Sequence, residues 1–354
     1  MAPARIALVG AGQIGRRHIA AMRANPDLHQ LVAIADPSPA AGAVARELGV
    51  PFYANEDELL ARERPDGVII ATPNQHHASV GLACIDRKIP ILVEKPIADS
   101  VRDALGLVAV AERAKVPVLV GHHRRHNPIM QKAAEVIHTG GIGKVIAVAG
   151  LWLSHKPTDY FNVTWRKEPG GGPILINAIH DIDCLRMLCG DIEVVQASTA
   201  STARPHPVED TAAAVLTFAS GALGTLMISD AVSAPWSWEW TSRENPWYPH
   251  EPENCFMVTG TLGSITVPTL QHRTHEAGRQ TWAEPMTERR IHYTPADPYV
   301  EQMRNFVAVI RGEAEPVVSG AQGARTLATT LAISESARTQ QPVRIADYLE
   351  RNRG

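Results

Sequence analysis

The sequence predicts two domains of different architecture. A doubly wound parallel α/β sheet is expected over residues 1–125, then an open, mostly antiparallel sheet with helices on one face over residues 126–354. Three observations predict this. From residue 4 to about residue 121, short β-branched runs alternate with segments of helical spacing, and strands joined by crossover helices make a parallel sheet. After about residue 130 the apolar runs lengthen and the turns between them shorten, which favours antiparallel pairing. A chain of 354 residues also exceeds what one core holds.

Ile6–Val9 is the first strand. Gly10-Ala11-Gly12-Gln13-Ile14-Gly15 follows as a tight turn, and Ile14–Arg23 continues as a helix. Gly10 permits the turn, Gly12 lets the main chain approach a pyrophosphate, and Gly15 lets the helix pack on the strand. The helix start then offers unpaired N–H groups and a positive dipole end to phosphates. Leu31–Ala35 is the second strand, and Asp36 ends it about twenty residues past Gly15, where a carboxylate holds a ribose diol. The pattern predicts a Rossmann dinucleotide-binding domain. Asp36 favours NAD, because its charge repels a 2′-phosphate. Arg16 and Arg17 are the nearest basic residues, and Arg17 leaves NADP as the second choice.

Strands at Gly67–Ile70, Ile91–Val93 and Val118–Val120 complete the sheet, with helices at Ala40–Leu48, Ser79–Arg87 and Val101–Ala114. Ligands of such sheets lie at the carboxyl ends of the strands, so Ala71-Thr72-Pro73-Asn74, Glu94-Lys95-Pro96 and Gly121 to Arg125 are the positions to watch. Lys95 is the candidate for chemistry. Its ammonium is disfavoured beside an oxidised nicotinamide, so it can exchange a proton with a substrate hydroxyl as hydride leaves the carbon. Pro96 admits a cis bond that would fix the direction of Lys95.

The second half reads as strands Val145–Trp152, Val194–Ala200, Ala212–Phe218, Leu223–Ile228, Phe256–Thr259 and Ser264–Val267. One helix is inserted from about Ile174 to Leu188. Helices near Tyr299–Arg311 and Gly323–Arg338 close the chain and are expected to pack back on the first domain. Gly170-Gly171-Gly172-Pro173 leads into the inserted helix, where Asn177, His180 and Asp183 lie near one face. Its other residues are mostly apolar, so the helix is buried and its polar stripe faces a cavity. Lys95, His123, Tyr160, Asn177, His180 and Trp236 are the substrate-binding candidates. They supply donors and acceptors for hydroxyls and aromatic faces for C–H groups, as a polyhydroxylated ring requires. The cations His122, Arg124, Arg125 and Lys156 would equally suit a carboxylated ring. Four tryptophans crowd the Pro-rich stretch 234–254, which reads as a substrate lid or subunit-contact loop, with plain packing as the less favoured reading.

Composition excludes other classes. A net charge of −3 offers no footprint for nucleic acid or an anionic membrane. No apolar run approaches the roughly 20 residues that span a bilayer, and the N-terminus runs straight into the first strand, so a cytoplasmic protein is expected. Cys84, Cys184, Cys189 and Cys255 lack CxxC spacing and read as small buried side chains. The histidine pairs lack metal spacing, and no metal is predicted.

Together these motifs resemble the glucose–fructose oxidoreductase/inositol dehydrogenase/MocA family over nearly the whole chain. The resemblance is carried by the glycine turn, by Ala71-Thr72-Pro73-Asn74 with His76-His77, by Glu94-Lys95-Pro96, and by the triple glycine with His180 and Asp183. Asp297-Pro298-Tyr299 through Gln302 and Phe306 to Gly312 is similar to the family's closing helix. The resemblance implies reversible oxidation of a secondary alcohol with NAD or NADP. It implies Lys95 and His180 as the acid–base pair, with Trp165 and Arg166 near the nicotinamide and with Thr72, Pro73, Asn74, His77 and Glu94 at the cofactor. One position departs: the family commonly has an Asp one turn before the histidine, and here it is Ile176. Asn177 could take over substrate binding but not a base's role. The departure motivates an inactive NAD-binding sensor as one alternative, and the cations His122, Arg124, Arg125 and Lys156 motivate a dehydrogenase of a carboxylated ring as another. An open sheet also predicts a homodimer or homotetramer.

Overall fold

The computed structural model describes residues 2–276 and 278–353. The chain divides into two compact units, one of Met1–Asn127, Ala296–Leu327 and Arg351–Gly354, the other of Pro128–Pro295 and Ala328–Glu350.

The first unit begins with β1 (Ala4–Val9), α1 (Gln13–Arg23), β2 (His29–Ala35), α2 (Pro39–Leu48), β3 (Phe52–Tyr53) and α3 (Glu56–Glu63). It continues with β4 (Gly67–Ile70), α4 (His77–Asp86), β5 (Ile91–Val93), α5 (Val101–Ala114) and β6 (Val118–Val120). All six strands pair in parallel, in the order β3-β2-β1-β4-β5-β6. β4 and β5 are buried throughout and β1 is buried except at Arg5, so they read as continuous apolar runs without alternation. The strand order reverses between β1 and β4, the switch point at which such sheets take ligands.

In the second unit come α6 (Pro128–His138), β7 (Val145–Leu153), a π-helical turn at Ile174–Ala178, α7 (Ile179–Cys189), β8 (Ile192–Ala200), β9 (Thr211–Phe218) and β10 (Leu223–Ser229). Then follow α8 (Trp238–Thr241), β11 (Phe256–Gly260), β12 (Gly263–Val267), β13 (Gln271–Thr274) and β14 (Thr287–Arg290). The sheet order is β14-β13-β12-β11-β7-β10-β9-β8, closed by β15 (Val343–Arg344). β7 and β10 run parallel, and the other pairs run antiparallel. Ala212, Ala214, Leu216 and Phe218 alternate inward and share a core with Ile182, Leu185 and Leu188 of α7. Their neighbours Ala213 and Val215 point outward.

The chain closes with α9 (Pro298–Ile310), α10 (Gly320–Thr339) and α11 (Ile345–Arg351). Residues 296–327 belong with the first unit, so the second domain does not hold the whole of 126–354. The physical reason is the apolar face of α9: Met303, Phe306 and Val307 share a core with Ile6, Leu8 and Ile69. Among the described residues no helix is long and apolar enough to cross a membrane.

Candidate active site

The glycine turn is shaped by close contacts. Gly10 has φ +94°, and a Cβ there would overlap the main chain of Ala71 and Thr72. A Cβ on Gly15 would overlap the carbonyl oxygen of Gly10. α1 starts at Gly12 with no side-chain cap, so its first-turn N–H groups and positive dipole end are left to a ligand. Gln13 and Ile14 open this helix and are exposed. At the end of β2 the Asp36 carboxylate accepts from the Ala11 N–H (2.8 Å) and the Ser38 N–H (2.7 Å), which fixes it beside the turn. The hydroxyl of Thr72, after β4, is buried without a hydrogen-bond partner. These groups fit a dinucleotide with a free ribose diol. Arg17 is engaged elsewhere: it pairs with Asp297 at 2.6 Å, and its guanidinium lies 4.8 Å above the Tyr299 ring.

Lys95 is held through its main chain. Glu94 is buried; one oxygen bonds the His18 ring at 2.8 Å, and the other accepts the Lys95 N–H at 3.2 Å. Burial pushes the Glu94 carboxyl up, but the His18 bond, with the charges of His18, Lys95 and His123, outweighs burial and holds it below the usual carboxylate range. The Lys95–Pro96 bond is cis. His77 is buried, with one ring nitrogen 2.7 Å from the Pro96 carbonyl and the other 2.9 Å from the Thr72 carbonyl. His77 therefore ties the loop after β4 to the loop after β5, and its ring nitrogens meet main chain where a cofactor contact was expected. His123 is also buried, stacked on Tyr299 with ring centroids 4.5 Å apart. Pro73 is exposed and Asn74 is half-buried at the same strand end.

In the second unit the inserted helix begins as a π-helical turn, whereas a uniform α-helix was expected. Apolar spacing over five residues does not separate the two windings. Asn177 lies in this turn with its carboxamide oxygen buried and without a hydrogen-bond partner. His180 follows in the first turn of α7, half-buried like Ile176. Tyr160 is lined by cations: the Arg166 guanidinium lies 4.0 Å from its ring centroid and the Lys156 ammonium 4.8 Å. Lys156 pairs with Asp230 at 3.2 Å, and Arg204 takes the other oxygen of the same carboxylate. Burial lowers the Lys156 pKa, although Asp230 opposes the shift. Trp165 is half exposed beside Arg166.

The tryptophan-rich stretch divides. Trp238 is part of the hydrophobic core, and the Trp240 indole donates to the Ser154 hydroxyl at 2.9 Å. Trp236 and Trp247 are 41% and 90% exposed. Packing, the less favoured of the three readings, thus accounts for two of the four tryptophans. All four cysteines are free and buried, and burial pushes the Cys84 and Cys189 thiols up to about 12. Sequence reasoning missed Arg204, Glu209 and Asp230. They stand in or beside turns, and only the pairing of β9 with β10 brings the segments around them together.

An uncapped glycine turn at the switch point, beside an acid at the end of β2, is the geometry of an NAD-binding domain. The comparisons with known proteins agree and are more specific. Residues 4–122 match the oxidoreductase family with an NAD-binding Rossmann fold, and residues 134–345 match that family's C-terminal alpha/beta domain. The chain belongs to the GFO/IDH/MocA family. It is 29% identical over 349 residues to the 1,5-anhydro-D-fructose reductase of Ensifer adhaerens, covering 96% of this chain and 98% of that protein. It is 27% identical to the scyllo-inositol 2-dehydrogenase (NAD(+)) of Bacillus subtilis, covering 96% of each chain. Among solved structures it resembles the WlbA dehydrogenase from Bordetella pertussis in complex with NADH and UDP-GlcNAcA. That match has a TM-score of 0.78 at 26% identity, over 97% of this chain and 98% of that one.

Proposed function

We propose that the protein reversibly oxidises a secondary hydroxyl of a sugar, cyclitol or related polyhydroxylated ring, with Lys95 and His180 as the acid–base pair. The observation that carries this reading is the buried, unpartnered carboxamide oxygen of Asn177, three residues before His180. An acceptor left unsatisfied costs about 1–3 kcal/mol, and a substrate hydroxyl would satisfy it. Bound NAD supplies a hydride acceptor at nicotinamide C4. The first-turn N–H groups of α1 hold the pyrophosphate, Asp36 holds a ribose, and Thr72, Pro73 and Asn74 line the same strand end. Lys95, placed by Glu94 and His77, takes the hydroxyl proton. His180 and Asn177 orient the ring, with Tyr160, Trp165, Arg166 and Trp236 around it.

The test is NADH formation with inositols and aldoses, and NADH oxidation with 1,5-anhydro-D-fructose. Lys95→Ala and His180→Ala should each lower kcat roughly 10²- to 10⁴-fold with NAD affinity retained. Full turnover by either variant removes that residue from the pair, and no turnover of any substrate favours the sensor. We further propose that a second copy covers the outer sheet face, where Val215, Leu223 and Met227 are 50%, 56% and 41% exposed. Sedimentation should show a dimer or larger that Met227→Glu dissociates; a monomeric wild type refutes the assignment.

A further inference from the structure

We propose that Glu209 is a positioning residue for the helix that carries Asn177 and His180, a role that rests on the reading of His180 given above. The helix begins at Pro173 without a side-chain cap of its own. The cap comes from another loop: Glu209 accepts the Ile174 N–H at 3.2 Å, reaching across 35 positions of sequence. Gly172 makes the approach possible, since a Cβ there would overlap the Glu209 carboxylate.

The loop that delivers Glu209 is itself fixed. Asp210 is buried and accepts from the N–H groups of Ala203 (2.8 Å) and Arg204 (3.2 Å), closing residues 203–210 into a tight loop. The Thr211 hydroxyl donates to the same carboxylate at 2.9 Å. Arg204 in turn pairs with Asp230 and donates to the Lys156 carbonyl. A continuous set of bonds thus runs from the ends of β9 and β10, through Glu209, to the first residue of the π-helical turn. Asn177 lies three residues further on. Without this anchor the first-turn N–H is unpaired and the start of the helix can shift. A misplacement of about 1 Å at a reacting group costs on the order of 10²-fold in rate. Glu209 touches neither substrate nor cofactor in this scheme and acts through the helix alone.

The test compares Glu209→Ala, Glu209→Asp and Glu209→Gln by backbone hydrogen exchange over residues 172–180, by NAD titration, and by kcat with the polyol that the substrate screen identifies. Glu209→Ala should exchange faster in that segment and lose roughly 10- to 100-fold in kcat, with NAD affinity unchanged. Glu209→Gln keeps an acceptor oxygen at the same reach and should restore both protection and most of kcat. If Glu209→Ala does not fold, Glu209→Asp, one methylene short, supplies the comparison with Gln. Wild-type exchange in Ala and Asp, or equal losses in all three variants, overturns the proposal. Exchange is read without substrate, so failure of the His180 assignment, seen as full turnover in His180→Ala, is distinguishable from failure of this one.

Discussion

Glycines introduce a helix twice in this chain, and the two starts are used in opposite ways. At residues 10–15 the turn closes against main chain, and a Cβ on Gly12 would meet nothing within 4 Å. The space in front of α1 is open, and Asp36 waits at its side. At residues 170–172 the corresponding space is filled by the chain's own carboxylate, Glu209. A glycine-led helix start is therefore not in itself an anion site. What stands before the first turn decides whether its N–H groups serve a ligand or the fold.

Substituting each glycine breaks this comparison most directly. Gly15→Ala forces its methyl against the Gly10 carbonyl, which moves only with the whole turn. We expect a loss of about 1–3 kcal/mol in stability by urea unfolding, and no measurable NAD binding by calorimetry. Gly172→Ala meets the end of a side chain, so its cost should be smaller, and Glu209→Ala should relieve it. A coupling of about 0.5–3 kcal/mol between those two sites is expected from a double-mutant cycle. Additive effects would mean that Glu209 does not fill the space. Another substitution tests the open start: Asp36→Ala removes charge-assisted bonds to a ribose worth roughly 1.5–3 kcal/mol, which raises the NAD Kd about 10- to 100-fold. An unchanged Kd would remove Asp36 from the cofactor site.

The first glycine turn was legible in the sequence because its signals are local: strand, turn, helix and acid fall within one βαβ unit. The end of β5, after which Lys95 follows, was legible for the same reason. Elements with weak local patterns escaped. β3 has only two residues, and α3 has only Leu59 and Leu60 buried, although Asn55 capping the Glu58 N–H was a readable start signal. Glu209 escaped because its partner lies 35 residues away. Nothing in the residues around it separates a capping carboxylate from a solvated one. The parallel pairing of β7 with β10 escaped likewise, since short turns predict only sequential antiparallel partners. What remained hidden was set by tertiary contact, not by local preference.

The clamp of Arg17 on Asp297 and Tyr299 bears on how this enzyme could change its cofactor. The sequence offers Arg17 as a cation already close to the glycine turn, which suggests that replacing Asp36 alone opens the way to NADP. Arg17 is not idle, however: it joins the start of α9 to α1, and α9 supplies part of the first unit's core. Recruiting it to a 2′-phosphate would loosen that joint. A lineage drifting toward NADP through Arg17 would have to re-anchor α9, so along that route the preference for NAD is guarded by folding as well as by binding.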